Sequence, residues 1–244
     1  MSANGGRLVA ILQARMSSSR LPGKVLTPVL GKPMIALQVE RLRRARHLDA
    51  IWVATSTETG DDAIVDVCKS LDVAVYRGPL ADVLDRYAGA ARRSEATAVM
   101  RLTADCPLAD PAVIDGLASF FAAGAYDYAS NTLDRTWPRG LDAEVMTADA
   151  LKTAAHEAID PYEREHVTPY IYRRPDRFRL GAFTGPEDNS DMRLTVDYPE
   201  DLRLIRRIYE ALYADNPEFT TADIVAFLEE HPEVRALNAT IVQA

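Results

Sequence analysis

The stretch Leu8-Val9-Ala10-Ile11-Leu12-Gln13-Ala14-Arg15-Met16-Ser17-Ser18-Ser19-Arg20-Leu21-Pro22-Gly23-Lys24-Val25-Leu26 decides how the chain is read. The unbroken apolar run Val9 to Leu12 predicts a strand covered on both faces, as in a parallel sheet. It stops at a loop of small polar residues that carries three cations, Arg15, Arg20 and Lys24. Gly23 lets the backbone approach a ligand closely. The two arginines can grip phosphate oxygens in pairs, and Lys24 adds a mobile point charge. A basic loop is ordinarily just solvated. This one lies after a strand and before a helix, which points to a polyanion held beyond the strand's end. It is neither a Walker loop nor a dinucleotide Gly-x-Gly-x-x-Gly.

The charge around this stretch is uneven. Residues 1–48 hold nine Lys/Arg against one acid, Glu40, a balance of +8 in a chain of net charge −8, so the remainder carries −16. That distribution argues for a local anion site and against a general nucleic-acid binder. The solvated face of a helix accounts for Arg41, Arg43, Arg44 and Arg46, but not for Arg15, Arg20 and Lys24. At 244 residues and 48% hydrophobic, the chain can bury a sizeable core. No apolar run approaches the ~20 residues of a membrane span, and Met1 to Arg7 has no signal-peptide core. Cys68 and Cys106 lack a metal-site spacing. The expectation is a reduced, cytoplasmic protein with no membrane partner.

Further along, strand and helix alternate. Pro33 is expected to start a helix with Ile35, Val39 and Leu42 on one face. Ile51 to Thr55 predicts a second strand, followed by a helix with Asp61 and Asp62 in its first turn. Val73 to Tyr76 predicts a third strand and Asp82 caps a helix to Arg93. Ala98 to Leu102 predicts a fourth strand, and Pro111 opens a helix closed by Gly124. Four such units imply a mostly parallel sheet with helices on both faces. After residue 125 the pattern loosens. Strands are expected at 126–130, 143–146, 178–183 and 193–197, with helices from Thr147 to His156, from Tyr162 to Tyr172 interrupted at Pro169, from Pro199, and from Thr220 or Thr221 to Glu230. With no repeat and no linker, this is one domain over 8–231, with tails 1–7 and 232–244 and an elaboration near 130–190.

Ligands of parallel sheets bind beyond the carboxyl ends of the strands. Polar clusters fall at four such ends: Gln13 to Lys24, Arg77-Gly78, Thr103 to Asp105, and Asp197. Asp105 and Asp197 each follow a strand and precede a proline. Each can simply cap the next helix. Together, beside a cationic loop, they can also hold Mg²⁺, which needs one or two carboxylates and completes its shell with water and phosphate oxygens.

The opening stretch, from Leu12 to Leu26, resembles the signature of the spore-coat polysaccharide cytidylyltransferase family and, more distantly, CMP-sugar synthetases for Kdo and sialic-acid-like sugars. Later blocks extend the resemblance: Val53 to Ser56, Tyr76 to Gly78 with Asp82 to Tyr87, Arg101 to Leu108, Ser130 to Thr132, Gly140 to Val145, Glu163 to Tyr170, and Thr195 to Leu202. Many nucleotidyltransferases share the first block, whereas Glu163 to Tyr170 is more specific. The resemblance covers residues 8–212. It implies a nucleotide-diphospho-sugar transferase fold, transfer of CMP from CTP to a sugar with release of pyrophosphate, and a homodimer. Carried over by position, it implies that Lys24, Arg15 and Asp105 act in catalysis and that Arg20 contacts phosphates. Leu12, Gln13 and Ala14 would line the base pocket through backbone groups, with Arg77, Gly78 and Thr103 nearby. Asp105 and Asp197 would hold Mg²⁺. The Kdo enzymes have Gln-Gly-Asp where this chain has Thr103-Ala104-Asp105, so cytosine rests on the resemblance alone.

The acceptor is expected at 130–190, with Asn131, Arg135, Arg139, Asp142, Glu144, Arg164, Glu165 and His166 as candidates. His166 can be a proton-transfer group or an ordinary surface histidine. Trp137 and Pro138 can cover the sugar or pack across a dimer interface. Two other functions compete. A glycosyltransferase of the same fold would usually carry Asp-x-Asp, whereas Cys106-Pro107 follows Asp105. A non-catalytic nucleotide-binding partner in a glycan pathway has no need to keep Lys24, Asp105 and Asp197 together.

Overall fold

The computed structural model describes residues 6–241. In chain order it forms β1 Leu8–Gln13, the small hairpin β2 Pro28–Val29 and β3 Lys32–Pro33, α1 Met34–Leu42, β4 Ala50–Ser56, α2 Asp62–Ser70, β5 Ala74–Gly78, α3 Val83–Arg93, β6 Ala98–Thr103 and α4 Pro111–Gly124. Then follow β7 Tyr128–Ser130, β8 Glu144–Thr147, α5 Ala148–Glu157, α6 Pro161–His166, α7 Pro169–Tyr172, β9 Leu180–Ala182, α8 Pro199–Leu212, α9 Thr221–Glu230 and α10 Pro232–Arg235. The main sheet has seven strands in the order β5-β4-β1-β6-β8-β7-β9. β1 lies at its centre, parallel to β4 and β6, and β5 extends the parallel half. β8 runs against both β6 and β7.

The composition of β1 explains its position. Leu8, Ala10 and Leu12 enter one core with Ile35, Val39, Ile64, Ile114 and Leu117, while Val9 and Ile11 enter the opposite core with Leu84, Tyr87, Leu151 and Ala154. Alternate side chains thus bury on alternate faces, and each large one contributes about 1.5–3 kcal/mol. A third core joins Met34, Leu37, Leu194, Val196, Ile205, Ile208, Phe219 and Val234. It draws α8, α9 and α10 against the flank of α1 and brings residues 192–197 to the rim where the parallel strands end. Residues 232–238, expected as part of a tail, form α10 and a 3-10 turn in this layer.

Several expectations need correction. Residues 193–197 form no ladder. They are extended, with one bridge from Arg139 to Arg193, and are held by Leu194 N–H on the Arg139 carbonyl and Val196 N–H on the Asp105 carbonyl. Gly140, at φ 101°, permits this approach, since a Cβ there would come within 2.4 Å of the Leu194 carbonyl carbon. Pro33 belongs to β3, so α1 begins one residue later. The helical stretch 162–172 is broken at Val167 rather than bent at Pro169. Val167 has φ 73° and ψ −60°, and Thr168 N–H bonds the His166 carbonyl in a tight γ-turn. The four arginines do not form a solvated face, because α1 ends at Leu42. Arg41 is buried against Phe219 and donates to the Ala109 and Phe219 carbonyls, and Arg44 donates to the Pro217 carbonyl. Thr220, not Thr221, caps α9, in reciprocal hydrogen bonds with Asp223.

Candidate active site

The loop after β1 is folded around one peptide. The Met16 carbonyl accepts N–H groups from Ser18 and Gly23, both at 2.9 Å, and the Met16 N–H donates to Asp61 Oδ1 at 2.7 Å. Asp61 also accepts from Thr55 Oγ1, the Ser56 N–H and Ser56 Oγ. Burial alone would raise its carboxyl. The Ser56 hydroxyl, the two amides and Thr55 override that and hold it below the usual carboxylate range. The loop closes at Gly23, with φ 73°, and a 3-10 turn over Lys24–Leu26 follows.

That turn sends Lys24 inward. Its ammonium, on a residue only 8% exposed, donates to Asp105 Oδ2 at 2.8 Å, Asp197 Oδ1 at 2.9 Å and the Val196 carbonyl at 2.7 Å. All three of its protons are therefore engaged. Burial lowers the ammonium's pKa, but Asp105 and Asp197 outweigh it and hold the group above its ordinary value. For Asp197, burial works upward, and Lys24 followed by Arg193 and Arg20 brings its carboxyl below the ordinary range. Arg20 Nη2 lies 3.0 Å from Asp197 Oδ1, with its guanidinium over the Tyr198 ring. Arg193 Nη2 donates to Asp197 Oδ2 at 2.9 Å. Asp105 Oδ1 accepts from the Cys106 thiol at 3.5 Å. Burial, then Asp105 and Asp142, push that thiol up, which keeps it protonated.

These groups border a cavity of about 170 Å³ lined by Gln13, Arg15, Ser18, Ser19, Arg20, Lys24, Val25, Thr103, Ala104, Asp105 and Asp197. Lys24 and Asp197, 173 residues apart in sequence, meet there. It is smaller than the ~300 Å³ at which pockets begin to enclose a whole ligand, so it suits one end of an elongated polyanion. A larger cavity of about 590 Å³ lies between α4, α9 and the 183–189 loop. It contains none of the residues of the cationic loop. Trp137 lines it, stacked on Phe183, so Trp137 does not cover the smaller cavity.

Some residues expected at the site are elsewhere. The Leu12 and Ala14 side chains are in the core, which leaves only their backbone groups to face a ligand, and of these the Ala14 N–H donates to the Ala54 carbonyl. Arg77 turns away to the Ser56 and Glu58 carbonyls and to Asp62, and the Gly78 carbonyl accepts from the Thr57 N–H. Arg77 and Gly78 thus brace the edge of the sheet rather than the cavity.

The acceptor candidates divide in the same way. Asn131 is buried and spans the Leu141 carbonyl and the Ala143 N–H, which shapes the 131–143 loop. Arg164 ties α6 to the start of α3 through Asp82 and to the Ala155 and Ala158 carbonyls. Arg139 holds the 192–194 segment by its backbone. Glu165 and His166 are exposed, the histidine ring against Tyr162 at 4.3 Å. Glu144, at the start of β8, pairs with Arg101 and accepts from the Tyr128 hydroxyl, and Arg135 makes a two-pronged pair with Asp142.

Sequence reasoning missed Asp61, Arg193 and Asp201. Each is an acid or base whose partner is fixed by tertiary contact. In the sequence Asp61 reads as an ordinary first-turn acid and Arg193 as a strand residue, and Asp201 carries no reading of its own within the block Thr195 to Leu202. The only local signal was the i, i+4 spacing of Arg193 and Asp197.

The sequence profile described as Cytidylyltransferase matches residues 9–225. The spore coat polysaccharide biosynthesis protein SpsF of Bacillus subtilis is 31% identical over 235 residues, covering 93% of this chain and 95% of that one. A 3-deoxy-manno-octulosonate cytidylyltransferase of Anaeromyxobacter dehalogenans is 39% identical over 234 residues, 86% of this chain and 93% of its own. A solved cytidylyltransferase from Leptospira borgpetersenii superposes with a TM-score of 0.92 at 30% identity, over 98% of this chain and all of that one. Agreement over almost the full length, in sequence and in fold, means that the chain belongs to the cytidylyltransferase family and is a nucleotidyltransferase.

Proposed function

We propose that the enzyme transfers CMP from CTP to an oxygen of a sugar or sugar acid, with release of pyrophosphate, in the synthesis of a surface polysaccharide or another glycan. The supporting observation is the Lys24 ammonium held between Asp105 and Asp197 at the floor of a cavity that Arg15 and Arg20 border. The same carboxylates fit Mg²⁺. They already meet at one positive charge, they are hard oxygen donors, and the Asp105 side chain is a quarter exposed. Bound by Asp105 and Asp197, the ion would offset charge on the phosphates.

The rest follows from the chain's own groups. The acceptor oxygen attacks the α-phosphorus in line as pyrophosphate leaves, and no covalent enzyme intermediate is needed. Position and fixed charge do the work. Arg15 and Arg20 grip oxygens of the triphosphate. Lys24 stabilises leaving-group charge and must exchange one of its three present acceptors to do so. Gln13 Oε1, buried without a hydrogen-bond partner, supplies an acceptor for an amine such as that of cytosine. Glu144, Asp142, Arg135 and the exposed His166 stand on the acceptor side. The reading includes a homodimer, favoured by the wide apolar groove at Trp137, and a cytoplasmic location. No helix among the described residues is long and apolar enough to cross a membrane.

Pyrophosphate release from CTP, measured with a panel of sugar acids and sugar phosphates with and without Mg²⁺, tests the proposal. Release with at least one acceptor, only with the metal, is expected. CTP binding without release for any acceptor would favour the non-catalytic partner, and consumption of an activated sugar instead would favour the glycosyltransferase.

A further inference from the structure

Asp201 stands in the first turn of α8, wholly buried, in surroundings more elaborate than a helix start requires. An acid there completes its role by accepting one backbone N–H. Asp201 receives five donors. Oδ1 accepts Arg193 Nε at 2.9 Å and Asn238 Nδ2 at 2.8 Å. Oδ2 accepts Arg193 Nη2 at 3.0 Å, the Asp197 N–H at 2.9 Å and the Tyr198 N–H at 3.0 Å. The same Arg193 Nη2 reaches Asp197 Oδ2 at 2.9 Å. Asp201 thus holds Asp197 twice, at its backbone and through the guanidinium on its carboxylate.

Asn238 closes this cage from the C-terminal turn. Its amide also donates to the Arg193 carbonyl at 3.0 Å. Both of its partners are acceptors, which fixes the amide's orientation. Asn238 is buried, although it lies 13 residues beyond the end of the family match at 225.

We propose that Asp201 is a positioning residue for Asp197, acting through Arg193, and that Asn238 is the latch by which the C-terminal turn completes the device. This rests on reading Asp197 as a metal ligand. A carboxylate gripped on one oxygen by a single N–H of a guanidinium that Asp201 itself holds in two hydrogen bonds, and fixed at its amide by Asp201 as well, presents its other oxygen in one direction only. Loosening the grip costs metal affinity before it costs the fold.

The test uses Mn²⁺ and CTP without acceptor, on full-length protein, reading enzyme-bound Mn²⁺ by water proton relaxation and folding by thermal melting. The variants are Asp197→Asn, Asp201→Asn and Asn238→Ala. Asp201→Asn should weaken Mn²⁺ binding about tenfold or more, as partners of metal ligands do. Asn238→Ala, which removes one hydrogen bond to a charged group, should weaken it about fivefold. In turnover, both should raise the Mg²⁺ concentration needed for half-maximal rate and recover at high Mg²⁺. If Asp197→Asn weakens Mn²⁺ while both other variants melt lower but bind it like wild type, Asp201 is only structural and the proposal is overturned. If Asp197→Asn leaves Mn²⁺ binding unchanged, the metal reading fails and takes the proposal with it. Should Asp201→Asn not fold, Asn238→Ala decides alone.

Discussion

Replacing Lys24 by methionine keeps the length of the side chain and removes the charge between Asp105 and Asp197. Both carboxylate oxygens sit within hydrogen-bond distance of one nitrogen, so they are at most about 6 Å apart. At an effective dielectric of ~20, their repulsion at that separation is about 3 kcal/mol. Arg20 and Arg193 stay on Asp197 and reduce the cost, so about 2–3 kcal/mol of stability should be lost. For a chain of this length, that lowers the melting temperature by about 4–12 °C. Lys24 is held above its ordinary pKa, so its contribution is complete below the unfolded value of about 10.4 and is lost only as pH rises through the folded one. The comparison therefore belongs at neutral pH. Mg²⁺ at ten times its dissociation constant should then return about 1.4 kcal/mol to Lys24→Met. It should stabilise wild type less, because there the ammonium must first give up a carboxylate before the ion can bind. Differential scanning calorimetry with and without Mg²⁺ reads both arms. Melting of the variant within a degree or so of wild type, or an equal response of both proteins to Mg²⁺, would refute the account. Turnover should also fall, by about 10²–10³.

Asp61→Asn should raise the KM for CTP about tenfold with a smaller change in kcat, because the Met16 amide that anchors the cationic loop loses its carboxylate; steady-state kinetics at saturating acceptor checks this. The folded carboxyl of Asp61 is depressed, so its stabilisation is full above the unfolded value of about 3.9 and is lost as pH falls through the lower folded value. The gap between the urea midpoints of wild type and this variant should accordingly be constant near neutrality and narrow progressively as pH falls below about 4; a gap as wide at about pH 2 as at pH 7 would show that something other than ionised Asp61 anchors the loop. Gly23→Ala forces a left-handed alanine with its Cβ 3.2 Å from Met16 Cε. It should cost about 1–2 kcal/mol and lower kcat by displacing Lys24, and unchanged melting and turnover together would contradict that role for Gly23.

The parallel half of the sheet was readable because its central strand, buried on both faces, appears as an uninterrupted apolar run. Residues 193–197 alternate polar and apolar side chains, which also reads as a strand, and form none. Leu194 and Val196 are buried in the helical layer, and no neighbouring segment is in register to ladder with them. Residue type and position at strand ends singled out Lys24, Asp105 and Asp197, and the fold brings the three together. The same pattern misplaced Arg77, which β5 directs toward Asp62. Asp61 was legible only as a helix-start acid, and Asp201 only as a member of the block Thr195 to Leu202. Their further partners, Met16 some 45 residues away and Asn238 some 37 away, depend on how the layers stack. Local sequence carries no trace of that stacking.

The reversed direction of β8 has a consequence for how such enzymes diversify. Because β8 runs against β6, Glu144 at its start pairs with Arg101 near the end of β6, and the 131–143 loop opens onto the rim where the parallel strands finish. That loop is fastened by Asn131 across its own neck and by Arg135 to Asp142. Its length and composition are therefore free of the register that fixes β1, β4 and β6. On the proposed reading, the nucleotide and its acceptor are recognised by separately editable parts of one chain. Exchanging the 131–143 loop between relatives should then transfer acceptor preference while leaving the handling of the triphosphate intact.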